Sequence, residues 1–191
     1  MTFQEWEAEV QRRIGIDEGY SKTVYMDSAS PPNPTIGVGF NLNRSDAKTE
    51  IAHIGADYNA VMNGTALTDQ QVSELFAYSF APIIDEARAS LQPLHYDSMS
   101  DARRFVICDL IFNLGNDGWL SFTITRGLID QACHAAREGN TAGAHSLFVQ
   151  AASELAQSAW YSQVGNRAKR DCAMLRTSNW CNPAGDGSDA T

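Results

Sequence analysis

Positive charge is scarce in this chain. Fourteen Lys and Arg residues face 23 Asp and Glu, giving a net charge of −9; residues 1–100 hold 14 acids against 6 bases, and residues 101–191 hold 9 against 8. Nucleic-acid binding needs a basic footprint, so no nucleic-acid partner is expected, and bulk attraction to a polyanion is excluded on the same ground. No apolar run approaches the length of a membrane span, so no membrane insertion is expected. The opening MTFQEWEAEVQRR lacks the basic segment and apolar stretch of a secretory leader. Synthesis in the cytoplasm without a signal peptide is the expectation. The four cysteines (108, 133, 172, 181) form no CxxC, and the four histidines are scattered, so neither a metal nor a cofactor is expected. Cys108 and Cys133 fall in apolar helical patterns and read as small buried hydrophobes. Cys172 and Cys181 flank a loop and could pair in an oxidising compartment.

Helix signals dominate. Thr2 and Glu5 have capping-box spacing before a stripe of Phe3, Trp6, Val10 and Ile14, a helix expected to end near Gly15. Two short helices should end at Gly55 and at Asn63–Gly64. Thr68 and Gln71 open a long helix over 69–91 that Pro82 should kink or split. The run FVICDLIFNL, 105–114, is apolar nearly all round, the mark of a helix buried on every side, with Gly115 as its stop. Further helices fit 124–138, 142–157 and 166–175, the last capped by Asn166. The strand-like region is 35–42, where Ile36, Val38, Phe40 and Leu42 alternate with Thr35, Gly37, Gly39 and Asn41. The glycines leave one face bare, open to close approach, or they mark bulges. The fold class is α+β, mostly α. A small hairpin lobe (15–67), a connecting helix (69–91) and a helical lobe (1–14 with 92–180) should form one domain with a cleft between lobes. The tail CNPAGDGSDAT, 181–191, reads as flexible.

GIDEGYSKTVYMDSASPPNPTIGVGF, 15–40, brings Glu18, Asp27 and Thr35 close in sequence, between turns and glycines. Two carboxyl groups and a hydroxyl suit glycoside hydrolysis: one acid protonates the leaving oxygen, and a carboxylate roughly 6.5–9.5 Å away activates a water on the other side of the sugar. Taken alone the pattern is weak, since acids near turns are commonly solvated or capping residues.

Three blocks in order make the pattern specific. DEG–VYMD–TIGVGF resembles the catalytic hairpin of the phage-type lysozymes, the family of the T-even phage lysozyme. DSMSDARRFVICDLIFNLGNDGWLSFT is similar to that family's buried central helix and following turn, and SAWYSQVGNRAKRDCAMLRTSNW to its C-terminal segment. The resemblance covers roughly residues 5–180 and implies a lysozyme-like fold. It implies a muramidase cleaving the β-1,4 bond between N-acetylmuramic acid and N-acetylglucosamine with inversion. Glu18 would be the general acid, with Asp27 and Thr35 holding the water. Phe112 and Asn113 match a cleft-lining Phe-Gln pair, Thr125 a substrate-contacting serine, and Arg167 an arginine that contacts the catalytic glutamate. The implied partner is the peptidoglycan glycan strand, met by a monomer in the periplasm or cell wall after delivery by a holin or a secretion system.

Some positions depart from the family. Phe40 replaces a histidine that serves there in a structural ion pair, so stability should be supplied differently. The SASPPNP turn is two residues longer than the family's shortest form, and Glu154 replaces an asparagine at a cleft position. An acid that must keep its proton is helped by burial and opposed by a nearby arginine, so Arg167 would chiefly orient the glutamate. Trp160 and Tyr161 read as core, Arg103 and Arg104 as a solvated helix face, and the NRAKR run as mostly facing water. Two rival readings stand beside the muramidase: a catalytically silent peptidoglycan-binding tail module, and a lytic transglycosylase, which forms an anhydro sugar without water and does not need Asp27.

Overall fold

The structure, a computed structural model, describes residues 1–190. Among these are ten helices and one three-stranded antiparallel sheet of order β1-β2-β3, the α+β, mostly α architecture expected. The chain divides into two compact units, Met1–Ala81 and Pro82–Thr191. No helix among the described residues is long and apolar enough to cross a membrane.

In the first unit, α1 (Phe3–Glu18) starts on the expected capping box. Thr2 Oγ1 accepts the Glu5 N–H at 3.3 Å and the Glu5 carboxylate accepts the Thr2 N–H at 2.8 Å. The helix does not stop at Gly15. A helical glycine costs only about 1 kcal/mol against alanine, and a β-carbon there would lie 3.8 Å from the Val38 side chain. The stop is Gly19, at φ +90°. Residues 1–14 therefore belong with the sheet-containing unit, not with the helical residues 92–180.

β1 (Ser21–Met26) pairs with β2 (Pro34–Gly37), which pairs with β3 (Phe40–Asn41). The 35–42 ribbon is thus not one strand. It folds on itself with Thr35 opposite Asn41 and Ile36 opposite Phe40. Gly37 (φ +65°) and Gly39 (φ +67°) hold the left-handed backbone that this reversal requires. Ile36, Val38, Phe40 and Leu42 are all buried nonetheless, so the apolar pattern reports burial correctly while misreporting the backbone.

α2 (Ala47–His53) and α3 (Tyr58–Met62) follow near the expected positions. Beside Phe40, Arg44 gathers a charge cluster. Its guanidinium lies 5.0 Å from the centroid of the Phe40 ring and bonds both Asp46 oxygens, at 3.0 and 2.7 Å, and Glu50 Oε1 at 3.0 Å. α4 (Asp69–Ala89) opens on the Thr68–Gln71 capping box. Its first residue, Asp69, receives Tyr20 Oη at 2.6 Å and Lys22 Nζ at 2.7 Å, tying the start of the helix to the approach to β1 and its first turn. Pro82 does not split α4; the boundary between units falls at Ala81–Pro82 inside it.

The second unit holds the rest of α4, then α5 (His95–Ser98), α6 (Asp101–Leu120), α7 (Thr123–Arg137), α8 (Thr141–Leu155), α9 (Ala159–Val164) and α10 (Asn166–Thr177). Phe105 to Ile111 of α6 are buried without interruption, and at Gly115 (φ +72°) the helix breaks as the sequence indicates. Arg103 is not on a solvated face. It donates to the carbonyls of Leu175 (2.8 Å) and Arg176 (3.2 Å), closing the C-terminal end of α10, and lies 3.5 Å over the Phe148 ring. Asn166 is the first residue of α10 rather than its cap, a position taken by Gly165 at φ +60°. Trp160 is buried, as expected of core.

The expected flexible tail is also corrected. Residues 182–190 fold back on α10: Arg170 Nη1 donates to the Gly185 carbonyl at 3.1 Å, and Asp189 accepts the Asn182 N–H at 2.7 Å. A β-carbon on Gly187 would meet the Lys169 carbonyl at 2.9 Å. The Cys181 thiol donates to the Arg170 carbonyl at 4.0 Å; Cys172 and Cys181 are buried thiols, not a disulfide.

Candidate active site

Glu18, Asp27 and Thr35 line one recess of about 320 Å³ in the first unit, with Tyr25, Met26, Ser28 and Gly39. Three local structures deliver them. Glu18 is the last residue of α1, half-buried where Gly19 turns the chain. Asp27 immediately follows β1. Thr35 lies on β2, 3% exposed and directly opposite Tyr25. Because Tyr25 and Thr35 face each other across the ladder, Asp27 and Thr35 come together although eight positions apart.

Asp27 organises the loop between β1 and β2. Its backbone N–H donates to the Asn33 carbonyl at 3.0 Å. Its Oδ1 accepts the N–H groups of Asn33 (2.8 Å) and Ala29 (3.1 Å), and its Oδ2 accepts Asn33 Nδ2 at 3.1 Å. The Asn33 backbone bond is foremost in holding this carboxyl below the ordinary aspartate range, so it is ionised at neutral pH. A carboxylate offers about four acceptor directions; three are filled, and room for one donor remains. The Thr35 hydroxyl donates to the Asn33 carbonyl at 3.2 Å, which commits its proton and leaves its oxygen as an acceptor. Tyr25 adds a phenol whose proton is held more firmly than usual, first by burial and then by the charges of Glu18 and Asp27.

Asn33 and Tyr25 were not singled out from sequence. Tyr25 had a signal, lying two residues before Asp27 on a strand and hence on its face. Asn33 sat in a proline-rich turn where an amide is unremarkable until the loop closes.

The remaining expected site residues lie in the second unit. Thr125, 1% exposed in the first turn of α7, lines a recess of about 200 Å³ with Ser121, Phe122 and Glu154, among others. Phe112 is half-buried on α6. Its neighbour Asn113 uses Oδ1 to accept Trp160 Nε1 at 2.8 Å, so that oxygen serves the core. Arg167 is 7% exposed and grips Asp109 with two bonds of 2.8 Å, from Nε and Nη2. Arg170 is buried as well, so the NRAKR run does not mostly face water. Asp109, on α6, was missed; a lone acid in an apolar run is the signal that could have found it, since a charge is rarely buried without a partner.

Among the described residues, no group of three or more His, Cys, Asp or Glu side chains could hold a metal ion. What the first recess offers is proton chemistry: two carboxyl groups of different setting and a hydroxyl acceptor. No protein-family model matches this sequence.

Proposed function

We propose that this protein is a muramidase of lysozyme-like fold, hydrolysing the β-1,4 bond between N-acetylmuramic acid and N-acetylglucosamine in peptidoglycan. The observation that carries the reading is the shared recess of Glu18, Asp27 and Thr35. Glu18 protonates the departing glycosidic oxygen. A water in the recess donates one hydrogen to the Asp27 acceptor site that the loop leaves open and the other to Thr35 Oγ1. Both hydrogens are then turned away from the sugar, and the oxygen lone pair is aimed at the anomeric carbon. As the oxygen attacks, Asp27, ionised and fixed by Asn33, takes the proton. Attack by a held water from the side opposite the leaving group inverts the anomeric centre.

Thr125, Phe112 and Asn113 would contact the glycan strand, and Arg167 would support the acid. The protein would act as a monomer in the periplasm or cell wall, delivered by a holin or a secretion system.

Clearing of purified cell walls by wild type and Glu18→Gln tests the assignment. The variant is expected to fold and to lose activity by about 10²–10⁴-fold. Undiminished clearing by the variant would overturn the acid's role, and a folded wild type that clears nothing would favour the silent binding module. Product mass separates hydrolysis, which adds one water, from transglycosylation, which adds none.

A further inference from the structure

Two buried carboxyl groups meet in the second unit. Asp109 of α6 and Asp171 of α10 are 0% and 1% exposed. Arg167 stands one turn before Asp171 on α10 and holds both oxygens of Asp109 at 2.8 Å. The Asp171 carboxyl lies within reach of the Asp109 carboxyl, and its Oδ2 is buried with no hydrogen-bond partner. A hydrogen bond between two carboxyl groups needs a proton that neither carboxylate carries. Asp109, gripped twice by a guanidinium, is the natural anion. Asp171, with an oxygen that nothing satisfies, is the natural acid.

We propose that Asp171 is a neutral carboxylic acid that donates its proton to Asp109, fixing the rotation of that carboxylate and so the position of the Arg167 guanidinium.

The surrounding charges agree. From α6 the group facing Asp171 is Asp109; from α10 they are Arg167 and Arg170, with the Cys172 thiol adjacent. Of the other elements packed on α10, α8 brings His145, which is exposed, and Glu154, which lies in the recess with Thr125; α9 brings Tyr161, in a separate surface recess with Asp186 of the tail. Burial, then the negative charge of Asp109, raises the Asp171 carboxyl well above the ordinary range; the two arginines oppose this. A raised acid stabilises the fold while it stays protonated, and that contribution is lost as pH climbs through its folded value. The lock should therefore hold in acid and weaken as pH rises.

The test uses the full chain with carbon-13 label in the aspartate carboxyls. Wild type at neutral pH should show one protonated aspartate by NMR, and Asp171→Asn should show none. Wild type should lose thermal stability as pH rises above the ordinary aspartate range. Asp171→Asn, whose amide still donates to Asp109, should keep near-wild-type stability at neutral pH and lose that pH dependence. Asp171→Leu, with no donor, should be less stable than Asp171→Asn at neutral pH. Complete ionisation of the aspartates in wild type overturns the proposal, and so does a protonated signal that survives in Asp171→Asn. The NMR of wild type alone decides if a variant fails to fold. None of these readouts involves a glycan, so their failure is distinct from failure of the muramidase reading.

Discussion

Glu50→Gln probes the charge cluster that Arg44 gathers near Phe40. Glu50 is only 5% exposed, and its carboxyl is pushed up from 4.5 to about 6, chiefly by burial and next by the neighbouring Asp46 carboxyl, with Arg44 opposing. An acid raised in the folded state stabilises the fold below its unfolded value and loses that contribution as pH rises through the folded one. The window here runs from about 4.5 to about 6. A shift of that size corresponds to about 2 kcal/mol at roughly 1.4 kcal/mol per unit. This is a ceiling, because Arg44 is 42% exposed and solvent screens its side of the cluster. Glutamine fills the same space and does not titrate. The stability of wild type minus that of Glu50→Gln should therefore be greater at pH 4 than at pH 7, by about 1–2 kcal/mol. Urea unfolding of both proteins at the two pH values measures this, and the subtraction removes the titrating groups that do not interact with Glu50. An equal difference at both pH values would refute the claim that burial governs this glutamate.

Two other perturbations test the loop and the tail. Asn33→Ala removes the amide that donates to Asp27 Oδ2 while keeping the backbone bond to Oδ1. The Asp27 carboxyl should rise toward its ordinary value and the acid limb of the pH–activity profile should move upward; an unmoved limb would separate Asp27 from catalysis. Gly187→Ala forces a β-carbon against the Lys169 carbonyl at a residue with φ +82°. Unfolding should become easier by about 1–3 kcal/mol, with the tail more quickly cut by protease, whereas a change within about 0.5 kcal/mol would return residues 182–190 to the status of a loose tail.

Several elements were legible in the sequence because their causes are local. A capping box spans four residues, so Thr2–Glu5 and Thr68–Gln71 announced α1 and α4. Gly115 needed only its own left-handed backbone to break α6. Glu18, Asp27 and Thr35 could be named as candidates because three sequence blocks resemble one family, and the short loop between β1 and β2 brings Asp27 near Thr35. Local signals also misled. Gly15 looked like a helix stop, but it lies inside α1, and Gly19 at φ +90° ends the helix. The alternation over 35–42 was correct about which residues are buried and silent about the reversal at Gly37–Gly39.

Only the tertiary structure decided which charges are buried, and with whom. Asp109 and Arg167 lie 58 positions apart, and nothing within a few residues of either names the other. Arg103 looked like a helix-surface charge until α10 ended beside it, and the polar C-terminal residues looked disordered until Arg170 gave Gly185 a partner. Sequence fixes what each residue can do over one turn of helix or one step of strand. The partner of a desolvated charge is chosen by packing between elements, because water has to be replaced there by whatever group the fold brings within hydrogen-bond reach.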